Sequence, residues 1–152
     1  MNYPKVYHDQ IDLDVYSLYH VSPNVFDFPD YDKIAPFVIA NDKSPNGVLG
    51  LWISPFPDAC SSFGPHVYDV TIAEDYRGSV LDLSDLRAMH CYHSNEEWPI
   101  VDRVAYYQGY RTELLKTTDV LFIGDANGGV GEVIVLNFDV ITSFTKSKYV
   151  LK

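Results

Sequence analysis

The sequence predicts a mixed α+β fold in one domain that spans residues 1–152. Short runs rich in β-branched and aromatic residues recur along the chain, and stretches with helical spacing lie between them. A chain of 152 residues has the size of one ordinary domain. Its 47% hydrophobic and 14% aromatic residues can build a sizeable core, which excludes a chain that is disordered over most of its length.

The strongest strand signal lies in the last third of the chain. Two apolar runs flank an Asn127-Gly128-Gly129 turn, which is a pattern typical of a β-hairpin. The second run begins at Glu132, and a carboxylate at the mouth of a buried strand is costly to desolvate. Such a group has either a structural partner or a chemical task.

The rest of the chain supplies further elements. Strands are predicted over four more ranges: 15–22, 48–54, 66–72 and 80–83. A short element is predicted over 34–39, and short helical segments are predicted over 58–63 and 84–90. Asp58 is a possible cap of the second one, and the helical pattern over 99–115 is interrupted by Gly109. The proline-rich remainder of 23–50 is predicted to be loop, 1–14 an arm or short strand, and 143–152 a partly polar strand or tail.

The charge and the cysteines restrict the class of protein. The formal net charge is −10, with 21 acidic against 11 basic residues, so nonspecific binding to a phosphate backbone is disfavoured. Cys60 and Cys91 are too few for a disulfide framework and agree with a reducing compartment. Without a signal-peptide pattern or an apolar run of membrane-spanning length, we expect a cytoplasmic protein with no membrane association, although export by another route would leave the same sequence.

Several motifs carry little weight on their own. The run His90-Cys91-Tyr92-His93 contains residue types that bind zinc, but a fourth ligand at a sensible spacing is missing, so no metal site is predicted. Gly128-Gly129-Val130-Gly131 lacks both the strand-to-helix context of a dinucleotide fingerprint and the lysine of a P-loop. Taken alone, His20 is typical of a histidine at the core or rim of a strand.

Four short motifs nevertheless occur in a fixed order. His20 and Ser22 lie on one predicted strand, Gly50-Leu51-Trp52 on the next, Phe63 in a short helical segment, and Glu132 opens a late strand. This series resembles the ADP-ribosyltransferase superfamily, and more closely its diphtheria-toxin and poly(ADP-ribose) polymerase branch. The resemblance covers about residues 15–72 and 119–145, and it implies a split antiparallel β-sheet core with inserted helices.

The resemblance implies NAD as the cofactor, consumed as a substrate. The family pattern gives His20 a hydrogen bond to the adenosine ribose, and the backbone of Val21 a contact with the nicotinamide carboxamide. Ser22 would support the ribose or the strand geometry. Trp52 and Phe63 would sandwich the nicotinamide ring between flat aromatic faces.

The catalytic role implied by the resemblance belongs to Glu132, with His20 beside it. Glu132 would accept a hydrogen bond from the 2′-hydroxyl of the nicotinamide ribose and stabilise the oxocarbenium-like charge that develops as nicotinamide leaves. A fixed anion beside developing positive charge lowers such a barrier by several kcal/mol. Ser54, on the Trp52 strand, is also expected to contact the cofactor.

The chain departs from the family pattern at several positions. Val21 stands where the family usually has Gly, and Trp52 and Phe63 stand where it has Tyr. Val130, two residues before Glu132, replaces the Glu or Gln of branches that modify arginine, which disfavours transfer to arginine. The resemblance would place the loop 23–47 over the donor site and residues 125–130 where the acceptor binds.

The leading hypothesis is a mono-ADP-ribosyltransferase that acts on a macromolecule, protein rather than nucleic acid because of the charge. An NAD glycohydrolase, in which water is the acceptor, is a close alternative. A non-catalytic module that binds NAD, ADP-ribose or a protein is the alternative from another class. The RNA 2′-phosphotransferase branch is disfavoured because it needs basic residues that this acidic chain lacks.

Overall fold

The computed structural model describes residues 3–11, 13, 16–124 and 130–152, with only the backbone described at 130 and 131. The strands of these residues are β1 (Tyr7–His8), β2 (Leu18–Ser22), β3 (Leu51–Ile53), β4 (His66–Ile72), β5 (Gly78–Asp82), β6 (Val120–Gly124), β7 (Val130–Val135) and β8 (Ile141–Lys146). The α-helices are α1 (Ile34–Ala40), α2 (Leu83–Asn95) and α3 (Ile100–Leu115). Short 3-10 helices cover Tyr31–Lys33, Pro45–Leu49, Pro57–Phe63 and Phe138–Val140. The predicted α+β class is therefore confirmed.

The strands form two sheets. The large sheet has the order β1-β5-β6-β7-β3, and the small sheet has the order β2-β4-β8. All their pairings are antiparallel except that of β5 with β6, which is parallel. The two sheets meet at one bridge, in which Tyr19 and Ser54 exchange backbone hydrogen bonds of 2.9 Å. This junction of β2 with β3 is called the seam below.

The large sheet is the middle layer of the molecule. Successive side chains of a strand point to opposite faces, and on β3 Ile53 packs into the apolar cluster shared with the small sheet. Trp52 points the other way and packs against the cluster that α2 and α3 contribute to. The small sheet therefore covers one face of the large sheet, and the helices cover the other.

The two longer helices have identifiable local causes. Asp82 caps α2, because its carboxylate accepts a hydrogen bond of 2.8 Å from the backbone N–H of Ser84. Helix α3 buries Tyr107 and Tyr110 almost completely. Helix α3 continues through Gly109, contrary to the predicted interruption. A Cβ atom at this position would overlap the hydroxyl of Tyr3, so the absent side chain leaves room for that hydroxyl. None of the described helices is long and apolar enough to cross a membrane.

Other predicted elements are confirmed or corrected. The strand predicted over 66–72 is β4, and β6 pairs with β7 as the hairpin pattern predicts, although the turn 125–129 lies outside the described residues. The strand predicted over 48–54 is shorter, because Val48 and Leu49 belong to the 3-10 helix Pro45–Leu49 and are fully buried there. Helix α2 extends five residues beyond the predicted 84–90, to Asn95.

Asp58 is not the cap that the sequence predicts. It lies inside the 3-10 helix Pro57–Phe63, whose N-cap is Phe56. Its carboxylate instead accepts hydrogen bonds from the hydroxyl of Tyr149 and, at 2.8 Å, from the backbone N–H of Lys152. Asp58 therefore attaches the last residues of the chain to this segment.

Candidate functional site

Three strands that carry the sequence motifs are neighbours in the structure. Strand β3 pairs with β7, and this pairing sets Trp52 opposite Ile134 and Ile53 opposite Val133. Strand β2 joins β3 through the bridge at the seam. The His20, Trp52 and Glu132 motifs, which are far apart along the chain, thus converge on β2, β3 and β7.

His20 reaches across the seam. Its Nδ1 lies 2.7 Å from the backbone oxygen of Trp52. A carbonyl oxygen can only accept, so Nδ1 carries the proton and donates it, which leaves Nε2 as the acceptor of a neutral ring. Burial lowers the pKa of His20, while the bond to Trp52 raises it, and the net shift is downward. His20 is therefore a neutral imidazole at pH 7.

The remaining surroundings of His20 are aromatic. Its ring centroid lies 6.1 Å from that of Phe26, 6.4 Å from that of Tyr68 and 6.2 Å from that of Phe144. None of the described residues donates a hydrogen bond to Nε2 of His20. This atom is not completely enclosed by the described residues, although most of the His20 ring is buried.

Glu132 has no polar partner in the described part of the chain. Both ion pairs found there, Arg77 with Asp119 and Lys116 with Glu113, are elsewhere. The residue as a whole is exposed, yet nearby protein removes enough water from the carboxylate to raise the pKa of Glu132 by desolvation. An ionised carboxylate without a compensating partner has an unfavourable interaction with its surroundings that a cationic centre would relieve.

Sequence reasoning missed Cys60, which lies close to Glu132. Burial raises the pKa of the Cys60 thiol, and the negative charge of Glu132 raises it further, while a hydrogen bond with Ser54 lowers it. Cys60 is therefore a protonated thiol at pH 7. No motif marks this residue in the sequence, because the 3-10 helix Pro57–Phe63 brings it to the end of β3.

The two serines of the predicted site hold local turns. The Ser22 hydroxyl accepts a hydrogen bond of 3.1 Å from the backbone N–H of Asn24. The Ser54 hydroxyl accepts one of 3.0 Å from the N–H of Phe56. Both serines are buried, and the structure gives each a clear role in ending its strand.

The aromatic residues and Val21 differ in accessibility. Phe63 is 62% exposed, whereas Trp52 is half-buried and its Nε1 is enclosed without a hydrogen-bond partner among the described residues. Val21 is buried, so its backbone groups, rather than its side chain, are what it can offer a ligand.

His20 and Glu132 approach the seam from opposite faces of the large sheet. Glu132 lies opposite Ile123 and two residues from Ile134, so its side chain shares the helix-covered face with Trp52. The ring of His20 instead lies among the aromatic residues between the sheets. The structure thus brings the motif strands together without placing both predicted catalytic side chains on one face.

Of the two loops expected around the site, the structure describes only the loop 23–47. Residues 125–129, where the acceptor is expected to bind, lie outside the described residues, as does the side chain of Val130. The loop 23–47 contains α1 and is anchored by Tyr31, whose hydroxyl donates to the backbone oxygen of Val48 at 2.7 Å. The guanidinium carbon of Arg111 lies 3.5 Å from the centroid of the Tyr31 ring. This contact fixes part of the loop to α3.

Metal-binding residue types do not cluster in the described part of the chain. No group of three or more His, Cys, Asp or Glu residues there is arranged to hold a metal ion. Comparisons with protein-family models, with curated proteins and with solved structures gave no match for this chain.

Proposed function

We propose that the chain is an NAD-dependent mono-ADP-ribosyltransferase, which cleaves the bond between nicotinamide and ribose and transfers ADP-ribose to a protein. The observation that carries the proposal is the position of Glu132, a partly desolvated carboxylate that has no partner among the described residues and lies on the strand beside Trp52. We further propose that the two sheets, which meet at a single bridge, form the split core that the family resemblance implies.

In this proposal Glu132 provides electrostatic catalysis. As the bond to nicotinamide breaks, positive charge spreads over the ribose ring, and a carboxylate beside the ring lowers the energy of that state more than the energy of the ground state. Because Glu132 has no cation among the described residues to neutralise it, its full charge is available. The desolvation that raises its pKa also strengthens its interaction with the developing charge.

The seam residues would bind the donor. The Nε2 of His20 is an acceptor without a partner among the described residues, which suits a ribose hydroxyl. Trp52 and the exposed ring of Phe63 would hold the nicotinamide between them, and the backbone of Val21 and the Ser22 and Ser54 hydroxyls would add polar contacts. The proposal requires NAD, an extended molecule, to contact both faces of the large sheet, because His20 and Glu132 lie on opposite faces.

A protein acceptor fits the charge of the molecule better than a nucleic acid. The net charge of −10 repels a phosphate backbone and attracts basic surfaces. Cys60 and Cys91 are both free thiols in this structure, which agrees with the cytoplasmic location that we propose.

The first test measures nicotinamide release from NAD, with and without a cell lysate that contains acceptor proteins. We expect release and labelling of protein by the unmodified chain, and a loss of roughly a hundredfold or more for Glu132→Gln, as for the removal of one electrostatic stabiliser. Glu74→Gln is the matched control, because Glu74 is an exposed carboxylate in the turn between β4 and β5. Equal rates for the Glu132 variant and the control variant would contradict the proposed role.

Thermal melting shows whether the Glu132 variant is folded. The pKa of Glu132 is higher in the folded state than in the unfolded state. Protonated Glu132 therefore stabilises the fold below the unfolded-state pKa, and this stabilisation is lost as the pH rises through the folded-state pKa. Ionised Glu132 therefore destabilises the fold at pH 7, and Glu132→Gln is expected to melt no lower than the unmodified chain. A lower melting temperature would assign the loss of activity to unfolding.

Two alternatives have distinct outcomes in the same assay. Nicotinamide release without labelled protein would identify an NAD glycohydrolase. The non-catalytic binding module is favoured by one observation, the opposite faces from which His20 and Glu132 approach the seam. Binding of NAD or ADP-ribose without turnover would support that alternative.

A further inference from the structure

An aromatic groove lies on the helical side of the molecule, away from the seam residues. Its volume is about 500 Å³, and α2, α3 and residues 3–4 form its walls. Its ring-bearing lining residues are Tyr3, Tyr92, His93, Trp98 and Tyr106, and we call it the α2–α3 groove. None of the residues assigned to NAD lines it.

The ring of Trp98 stands at steep angles to the rings of Tyr92 and Tyr106, whereas His93 stacks on Trp98 at 19°. The plane of Trp98 makes an angle of 74° with that of Tyr92 and 77° with that of Tyr106, with centroid separations of 5.9 and 6.2 Å. Tyr3 lies 5.1 Å from Tyr106 at 56°. Such rings form the walls of a cage rather than one stack, and their faces carry the negative potential of aromatic quadrupoles.

The charged residues at the groove and beside Trp98 are acidic. Asp85 is the one charged residue that lines the groove, and Glu96 and Glu97 are exposed just before Trp98. Burial lowers the pKa of His93, and the nearby Arg103 and His90 lower it further, so His93 is neutral at pH 7 and adds no positive charge. Arg103, the cation close to His93, is held outside the groove lining by contacts with His90 and Ser94.

His93 also leaves a hydrogen-bonding atom unused. It is only 1% exposed, and its Nδ1 has no partner among the described residues. The ring is fixed by a stacked contact with Trp98 at a centroid distance of 4.4 Å and by an edge contact with Tyr106 at 4.4 Å. His93 therefore supplies a fixed ring to the groove lining rather than an accessible polar atom.

We propose that the α2–α3 groove binds a small organic cation that carries a quaternary ammonium group. The ammonium group lies against the faces of Trp98, Tyr92 and Tyr106, with Asp85 at the edge of the site. Aromatic cages recognise quaternary ammonium ions because the cation is attracted to several ring faces and has little hydration to lose.

The charge distribution favours a cation over a flat anionic ligand such as a nucleotide. A nucleobase could stack on Trp98, but its phosphate would face Asp85, Glu96 and Glu97 on a molecule of net charge −10. The proposal therefore commits to a cation, and AMP serves as the competing probe.

The test is calorimetric titration of the intact chain with choline, and with 3,3-dimethylbutan-1-ol as the neutral probe of the same shape. We expect choline to bind at least about tenfold more tightly than the neutral alcohol, because the alcohol keeps the apolar contacts and loses the attraction to the rings. Asp85→Asn is expected to weaken choline binding about two- to fivefold, as for one exposed charge.

Tyr92→Leu tests the aromatic wall with little risk to folding, because Tyr92 is 56% exposed. It is expected to weaken choline binding about two- to fivefold, whereas Tyr7→Leu, at a 62% exposed tyrosine of β1 outside the groove, leaves binding unchanged. Equal affinity for choline and the neutral alcohol, displacement of bound choline by AMP at the same concentration, or no choline binding by the folded chain would each overturn the proposal. None of these outcomes bears on NAD cleavage, so the two proposals fail separately.

Discussion

Asp119 connects three segments of the large sheet through one side chain. It is 6% exposed, and its carboxylate accepts hydrogen bonds from the backbone N–H of Arg77 at 2.8 Å, from Nη2 of Arg77 at 2.9 Å and from Nδ2 of Asn137 at 3.1 Å. Arg77 precedes β5, Asp119 precedes β6, and Asn137 follows β7. The carboxylate therefore fixes the ends of three neighbouring strands.

Asp119→Asn is expected to lower the free energy of unfolding by about 1–3 kcal/mol, because charge-assisted hydrogen bonds are lost at a buried position. Urea unfolding measures the change as a lower midpoint at constant slope. Asp75→Asn, at an exposed carboxylate of the neighbouring turn, is the control and should shift the midpoint little. An Asp119 variant that unfolds at the same midpoint as this control would refute the role.

The same residue predicts a pH dependence. The hydrogen bond from Arg77 lowers the pKa of Asp119 most, and burial opposes it. Because the folded-state pKa is depressed, the stabilisation is present above the usual aspartate value of 3.8 and is lost as the pH falls through the folded-state pKa. The difference between the unmodified chain and Asp119→Asn should therefore narrow below about pH 4.

At the residue scale, sequence patterns could identify the side chains of the candidate site but not the face of the sheet to which each one points. The motif order brought attention to His20, Trp52 and Glu132, and these residues do lie on neighbouring strands. Which face each side chain takes depends on the register of β3 against β7 and on the bridge at the seam. Since a shift of one residue reverses the faces, a single sequence does not determine that result.

At the element scale, the entry to β3 depends on the absence of a side chain. A Cβ atom at Gly50 would overlap the backbone oxygen of Val135 on β7. The backbone of Gly50 is extended, a conformation that any residue can adopt. Glycine is therefore required by the close approach of the Val135 backbone and not by backbone strain. At Gly47, by contrast, the nearest atom to an added Cβ is Cγ2 of Val38 at an ordinary 3.7 Å.

Gly50→Ala is expected to destabilise the fold by about 1–3 kcal/mol, since β3 must move away from β7 or Val135 must shift. Gly47→Ala should change stability by less than about 0.5 kcal/mol. Urea midpoints of the two variants give the comparison directly. If both variants unfold at the same concentration, the close packing of β3 on β7 is not what glycine provides.

Two predicted boundaries at this scale were wrong, each for its own reason. Val48 and Leu49 belong to a continuous apolar run, which periodicity cannot assign to strand or helix, and Pro45 begins a 3-10 helix there. The sequence around His93 is polar, so the last turns of α2 have no amphipathic signal, yet tertiary packing against Trp98 and Tyr106 buries His93. Hydrophobic pattern alone found β4, β6 and β7, because their apolar residues are consistent with burial.

At the scale of the whole molecule, net charge opposes folding. With 21 acidic against 11 basic residues and two ion pairs in the described part of the chain, most carboxylates repel one another without compensation. Thermal melts at pH 7 should therefore show a rising melting temperature as NaCl increases from about 0.01 to 0.15 M, where the screening length falls from about 30 to 8 Å. A melting temperature that falls with added NaCl would show that specific ion pairs matter more than the overall repulsion.

The seam has a mechanical consequence. Within the described residues, β2 is tied to β3 by the two backbone bonds between Tyr19 and Ser54 and by the bond from His20 to Trp52. The remaining cohesion between the sheets comes from apolar contacts, which have no preferred direction. Sliding one sheet over the other breaks three directional bonds and disturbs the packing of the shared apolar cluster, whereas displacing β7 from β3 or β6 breaks a continuous ladder. We therefore expect the molecule to yield more readily along the line where its motif strands meet than within either sheet.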